Sequence, residues 1–132
     1  MKKAITYIRV STKMQDVARQ RMKIQEYCDR NNYEIVQEIV DYGISGARAD
    51  REGYIKLQSL TDKDGEILVI SELSRLSREE TLITVNTIQN IIYNGLDVVF
   101  LDDASKYYKA NQALNLIELI TLLVSADKNA EE

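Results

Sequence analysis

The feature that most constrains this chain is an alternation: short β-branched runs are each followed by a helical stretch, along the whole length. "KAITYIRV" (residues 3–10) reads as a buried strand, and residues 16–31 as a helix ended by "NN", with Met22, Ile24, Tyr27 and Cys28 available for its inner face. "EIVQEIVDY" (34–42) is extended, "GISGARADREG" (43–53) is a loop by its glycines and small residues, and 54–60 forms a short helix. "EILVIS" (66–71) is the clearest buried strand. A helix over 79–93 stops at "NG", and "DVVFL" (97–101) is a fourth strand. A long helix from Ala110 to Lys128 closes the pattern. Strands separated by helices of this length form βαβ units. The expected fold is therefore α/β: a mostly parallel central sheet of four to five strands with helices on both faces and a long C-terminal helix. That last helix carries more apolar residues than one face needs, Leu114, Ile117, Ile120 and Leu123 among them, so it is expected to pack also against another subunit or a further segment.

The 132 residues suffice for one domain with a single core, with no proline-rich or low-complexity linker inside it. No apolar run approaches the roughly 18 residues that span a bilayer, and "MKKAITYIRVSTK" breaks too early for a signal peptide, so no membrane association is expected. Cys28 has no second cysteine to pair with, which points to a reducing cytoplasm. With no His and one Cys the chain lacks the donors of a zinc site, and no cofactor is expected.

The net charge of −4 conceals an uneven distribution. All eight arginines lie at or before Arg78; residues 1–78 carry 14 basic against 12 acidic groups, and residues 79–132 carry 3 against 9. A local phosphate site is compatible with such a chain, because the field follows where charges cluster. Tight DNA binding by this domain alone is not, because that needs many phosphate contacts.

Ligands of open α/β sheets bind beyond the carboxyl ends of the strands. There the first strand delivers Arg9, Ser11 and Thr12, and the second Asp41 followed by Ser45, Arg48 and Arg51. "SELSRLSRE" delivers Ser74, Arg75, Ser77 and Arg78, and the fourth strand Asp102 and Asp103. Three strand ends thus aim arginines at the emerging Ser11. A serine can attack a phosphodiester if the charge developing at phosphorus is stabilised, and the arginine fork does that at any working pH. An arginine beside the hydroxyl also favours its deprotonation. The plainer readings are a Ser11 that caps the following helix, an Arg9 that snorkels from a strand edge, an Arg51 engaged in surface pairs with Asp50 and Glu52, and an Asp102–Asp103 pair that ends a strand. Arg75 and Arg78 in a first helical turn oppose the helix dipole, which suits a bound anion better than a bare surface.

"YIRVSTKMQ" (7–15), "DYGISGARADREGY" (41–54) and "LSRLSRE" (73–79), in this order and spacing, resemble the three motifs of the serine recombinases, the resolvase/invertase group that includes large integrases. The resemblance implies a catalytic domain over 1–132, with a DNA-binding domain expected C-terminal to it. It makes Ser11 the nucleophile that forms a 5′-phosphoserine link to double-stranded DNA, with Arg9, Arg75, Arg78 and Arg51 at the scissile phosphate. Tyr7, Gln15, Gln20, Asp41 and Ser45 match supporting positions. It further implies homodimers that assemble to tetramers on DNA through the helix from Ala110 to Lys128, and strand exchange without metal or ATP. Ser74 stands where the family often has an acidic residue, and Asp127 and Lys128 stand near its usual Glu-Arg pair. Two other classes fit the residues alone: a metal-dependent phosphotransfer or nucleotide-binding domain using Asp102 and Asp103, and a non-catalytic oligomerisation domain of the same fold.

Overall fold

The computed structural model describes residues 1–10, 14–42, 52–71, 81–101 and 106–111. In chain order they form β1 (Lys2–Val10), α1 (Met14–Arg30), β2 (Tyr33–Tyr42), α2 (Glu52–Gln58), β3 (Ile67–Ile70), α3 (Thr81–Tyr93), β4 (Asp97–Phe100) and β5 (Lys106–Tyr108). The strands make one sheet in the order β2-β1-β3-β4-β5, parallel except for the antiparallel β4–β5 pair.

The layering follows from the handedness of crossovers. The chain steps from β1 to one side to make β2, then returns past β1 to make β3 and continues to β4. Right-handed crossovers place helices on opposite faces when the direction of travel reverses. Accordingly α1 covers one face, where Ala4, Ile8, Val17, Ile24, Cys28 and Val69 form one core. The other face, under α2 and α3, holds Ile5, Tyr7, Leu57, Leu68, Ile88 and Phe100 among others. Burial on both faces explains why "ILVI" is uniformly apolar rather than alternating. The buried stripe of α1 runs through positions 17, 20, 24 and 28 at helical spacing. Met22 falls off that stripe and is 64% exposed, so its expected place on the inner face is corrected, while Ile24 and Cys28 are inside and Tyr27 is half-buried. Burial also pushes the Cys28 thiol up to about 11, which keeps it protonated and unreactive.

β1 and β2 pair in register from Lys2 with Tyr33 to Ala4 with Ile35, then shift so that Ile5 faces Gln37 and Arg9 faces Asp41. Val36 is the extra residue of this bulge. Before it, Tyr33 and Ile35 point to the α1 face; after it, odd-numbered Ile39 points to the α2/α3 face. The bulge therefore puts Asp41 on the same side as Tyr7.

α3 ends as its "NG" predicts. Gly95 takes φ +101°, and the amides of Gly95 and Leu96 donate to the carbonyls of Ile92 and Ile91 at 3.0 and 3.3 Å, a Schellman closure. β5, a strand the alternation did not locate, is joined to the sheet by Lys2, Asp97 and Tyr107. Lys2 Nζ lies 3.2 Å from both Asp97 Oδ2 and Tyr107 Oη, Tyr107 Oη donates to Asp97, and the Ala110 amide donates to Asp97 Oδ1 at 2.8 Å. Burial raises the Asp97 carboxyl, but the bonds from Tyr107, Ala110 and Lys2 outweigh it and hold it below its ordinary value. Ala110 and Asn111 form a turn, so they are not the start of a helix; residues 112–132, which carry the rest of that expected helix, lie outside the described residues. Among the described residues no helix is long and apolar enough to cross a membrane.

Two consequences are measurable in denaturant titrations. Gly95→Ala forces a side chain onto a left-handed φ and brings its Cβ within 2.9 Å of the Asp62 Cβ, so stability should fall by about 1–2 kcal/mol at unchanged m. Asp97 has a depressed folded-state value, so its contribution is present above the unfolded carboxylate value near 4 and fades as pH falls below it. Asp97→Asn should cost up to about 1 kcal/mol at pH 7 and flatten the acid limb of the stability curve.

Candidate active site

The reversal of strand order at β1 creates a topological switch point between the carboxyl ends of β1 and β3, where sheets of this type leave a crevice. Polar side chains gather there inside an otherwise apolar core. Arg9, at the end of β1, is only 5% exposed, and Asp41, its register partner at the end of β2, 3%. Tyr7, Gln20 and Ser71 are fully buried. Burying a charged or polar group is costly unless it is hydrogen-bonded, so this concentration calls for compensating contacts.

The first set lies on the α2/α3 face. Tyr7 Oη donates to Asp41 Oδ2 at 2.6 Å, a short charge-assisted bond, and the backbone amide of Gly53 donates to Asp41 Oδ1 at 2.8 Å. Gly53 stands in the first turn of α2, so Asp41 caps that helix from a neighbouring strand, satisfying an amide that has no partner within the helix. The second set comes from the α1 face. Gln20 Nε2 donates to the carbonyl oxygen of Arg9 at 3.1 Å, and Ser71 Oγ donates to Gln20 Oε1 at 3.2 Å. One glutamine thus braces the end of β1 against the residue that follows β3. The Leu101 amide, donating to the Ile70 carbonyl at 3.0 Å, extends the β3–β4 ladder at the same level.

Of the residues expected at the site, the structure brings together Tyr7, Arg9, Gln20 and Asp41. Gln15 is the second residue of α1. Ser11, Ser45, Arg51, Ser74, Arg75 and Arg78 lie outside the described residues, as do Arg48, Asp102 and Asp103. Among the described residues no cluster of His, Cys, Asp and Glu could hold a metal ion. Gly53 and Ser71 were not singled out in the sequence. Gly53 reads there as the last residue of a glycine-containing loop, and Ser71 as the end of a strand. The only signal for Ser71 is its parity with Ile67 and Val69, which points it at α1.

The family model described as "Resolvase, N terminal domain" matches residues 4–129. The uncharacterized protein YbcK of Escherichia coli (strain K12) is 29% identical over 146 residues, a match that takes in 99% of this chain and 29% of YbcK. The chain therefore spans under a third of that relative's length. In fold the chain is similar to the N-terminal catalytic domain of TP901-1 integrase, with a TM-score of 0.71, 21% identity and 98% of each chain covered. It is also similar to the C-terminal catalytic domain of ISC1926 TnpA, an IS607-like serine recombinase, with a TM-score of 0.66, 25% identity and 77% and 71% covered. A resolvase family site-specific recombinase from Streptococcus pneumoniae has the same TM-score of 0.66 at 21% identity, with 99% and 89% covered. With a family match that runs over nearly its whole length, and with Tyr7, Arg9, Gln20 and Asp41 gathered where such a sheet binds its ligand, the chain belongs to the resolvase N-terminal domain family of serine recombinases.

Proposed function

We propose that this chain is the catalytic domain of a site-specific DNA recombinase and that Ser11 is its nucleophile. The observation that carries the reading is Arg9: a cation held 5% exposed at the switch point, two residues before a serine, on a strand with a parallel neighbour on each side. Such a cation suits a charge that develops beside it, and a preorganised donor stabilises that charge without reorganising during the reaction. Ser11 Oγ attacks the scissile phosphorus, the bond to the 3′ oxygen breaks, and that oxygen leaves as a hydroxyl while the 5′ phosphate stays on the serine. Attack by a 3′-hydroxyl on the phosphoserine reverses the step in a new pairing. One phosphoester replaces another, so no ATP is required, and Arg9, Arg51, Arg75 and Arg78 supply the positive charge that a metal would otherwise bring.

The remaining parts follow the same reading. Sequence recognition belongs to a DNA-binding region C-terminal to this domain, in keeping with a net charge of −4 here. The apolar segment from Ala110 to Lys128 joins subunits into dimers and, on DNA, tetramers. Tyr7, Gln15, Gln20, Asp41, Ser45 and Ser74 support the reacting groups, and the protein works in the cytoplasm.

The decisive test incubates the full-length protein with duplex DNA spanning the ends of its own genetic element, in EDTA. A covalent protein–DNA adduct mapped to Ser11 and lost in Ser11→Ala is the expected result; an adduct that survives Ser11→Ala, or one that forms only with divalent metal, overturns the mechanism. Arg9→Lys keeps the charge and loses the fork, so adduct formation should slow by about 10²-fold with little change in DNA affinity, read from single-turnover rates beside a binding titration.

A further inference from the structure

We infer that Gly53 is a positioning residue of the recombination site, acting through Asp41; the inference rests on the functional reading above. The segment between these two residues carries Ser45, Arg48 and Arg51. Its ends are joined by the 2.8 Å bond from the Gly53 amide to Asp41 Oδ1. That approach is possible only without a side chain. A Cβ on Gly53 would stand 2.7 Å from Asp41 Oδ1 and 2.8 Å from both Cγ and Oδ2, closer than real Cβ atoms come to any neighbour. The requirement is for room and not for backbone conformation, since Gly53 does not take the positive φ that marks Gly95.

A flexible neighbour would swing aside, but Asp41 has nowhere to go. Its side chain is short, 3% exposed, and held on its other oxygen by the fully buried Tyr7 at 2.6 Å. A methyl at position 53 must therefore break the Tyr7–Asp41 bond or push the start of α2 away from β2. Arg51 directly precedes α2, and Tyr7 lies two residues before Arg9 on β1. The contact thus sets the distance between the strand that leads to Ser11 and the helix that follows Arg51. Misplacement of a reacting group by about 1 Å costs on the order of 10²-fold in rate.

The test uses the full-length protein and compares wild type, Gly53→Ala, Asp41→Ala and the double variant. Two readouts are taken: the single-turnover rate of Ser11 adduct formation on saturating duplex DNA from the element's ends, beside DNA affinity, and the rate of tryptic cleavage after Arg48 and Arg51 without DNA. Gly53→Ala should slow adduct formation by about 10²-fold at unchanged DNA affinity and speed cleavage at Arg48 and Arg51 relative to Arg30 and Lys63. Removing the carboxylate makes room for the methyl, so the double variant should be no worse than Asp41→Ala alone, which keeps the test decisive even if Gly53→Ala alone folds poorly. A Gly53→Ala protein with wild-type rate and wild-type cleavage pattern overturns the inference, as does a double variant whose losses multiply. A wild-type protein that forms no Ser11 adduct overturns the functional reading instead, and the tryptic pattern still decides whether Gly53 pins the segment.

Discussion

β1 is hydrogen-bonded along both edges and covered on both faces, and the site depends on that immobility. Its partners β2 and β3 run parallel to it, and Ala4, Ile5, Tyr7 and Ile8 are fully buried. Beyond Tyr7, where the ladder to β3 stops, the end of this strand is held by its ladder to β2 and by the bond from Gln20, which Ser71 ties to the end of β3. A group mounted there inherits a position fixed before any ligand arrives, which is what electrostatic stabilisation of a transition state requires. The fold places Arg9 at the end of an interior strand, where burying a cation is costly and its position is closely set.

Polar braces reach this end of β1 from both sides of the sheet. From one side α1 offers Gln20, which occupies the Arg9 carbonyl and is itself held by Ser71. From the other, Asp41 links Tyr7 to the first turn of α2. A buried donor or acceptor left without a partner costs about 1–3 kcal/mol, so a network of this kind stabilises as a set and weakens as a set. Its members lie on β1, β2, α1 and α2 and beside β3, which makes the network also the point at which these elements agree on their relative positions.

Much of this was legible in the sequence, for identifiable reasons. Strands buried on both faces are uniformly apolar, so 67–70 and 98–100 stand out, and the motifs around Arg9 and Asp41 lie where an α/β sheet puts its ligands. The departures have physical causes too. Met22 looked like a core residue by type, but the stripe of α1 is set by positions 17, 20, 24 and 28, and one of those is a glutamine. β5 is three residues long and owes its place to Asp97 and Tyr107 pairing with Lys2, residues far apart in the chain that no local pattern connects. Gly53 escaped notice because its role is an absence of atoms beside a particular carboxylate, and that becomes visible only once β2 and α2 are set side by side.

The bulge at Val36 gives β2 a property unlike that of its neighbours: the strand changes phase partway along. Its first half shows odd-numbered residues to α1, and its second half shows them to α2 and α3. Because Ile35, Ile39 and Val40 offer apolar surface to either side, closing the bulge by pairing Val36 with Ile5 would leave a strand that still pairs and still buries oil-like side chains. What such a one-residue slip would change is the direction of one carboxylate: Asp41 would move from beside Arg9 to beside Val10 and turn from Tyr7 and Gly53 toward α1. In this strand, register encodes chemistry while hydrophobicity encodes only folding. A chimera that trades this strand between relatives must therefore preserve the register of its second half against β1 more strictly than the identity of its residues.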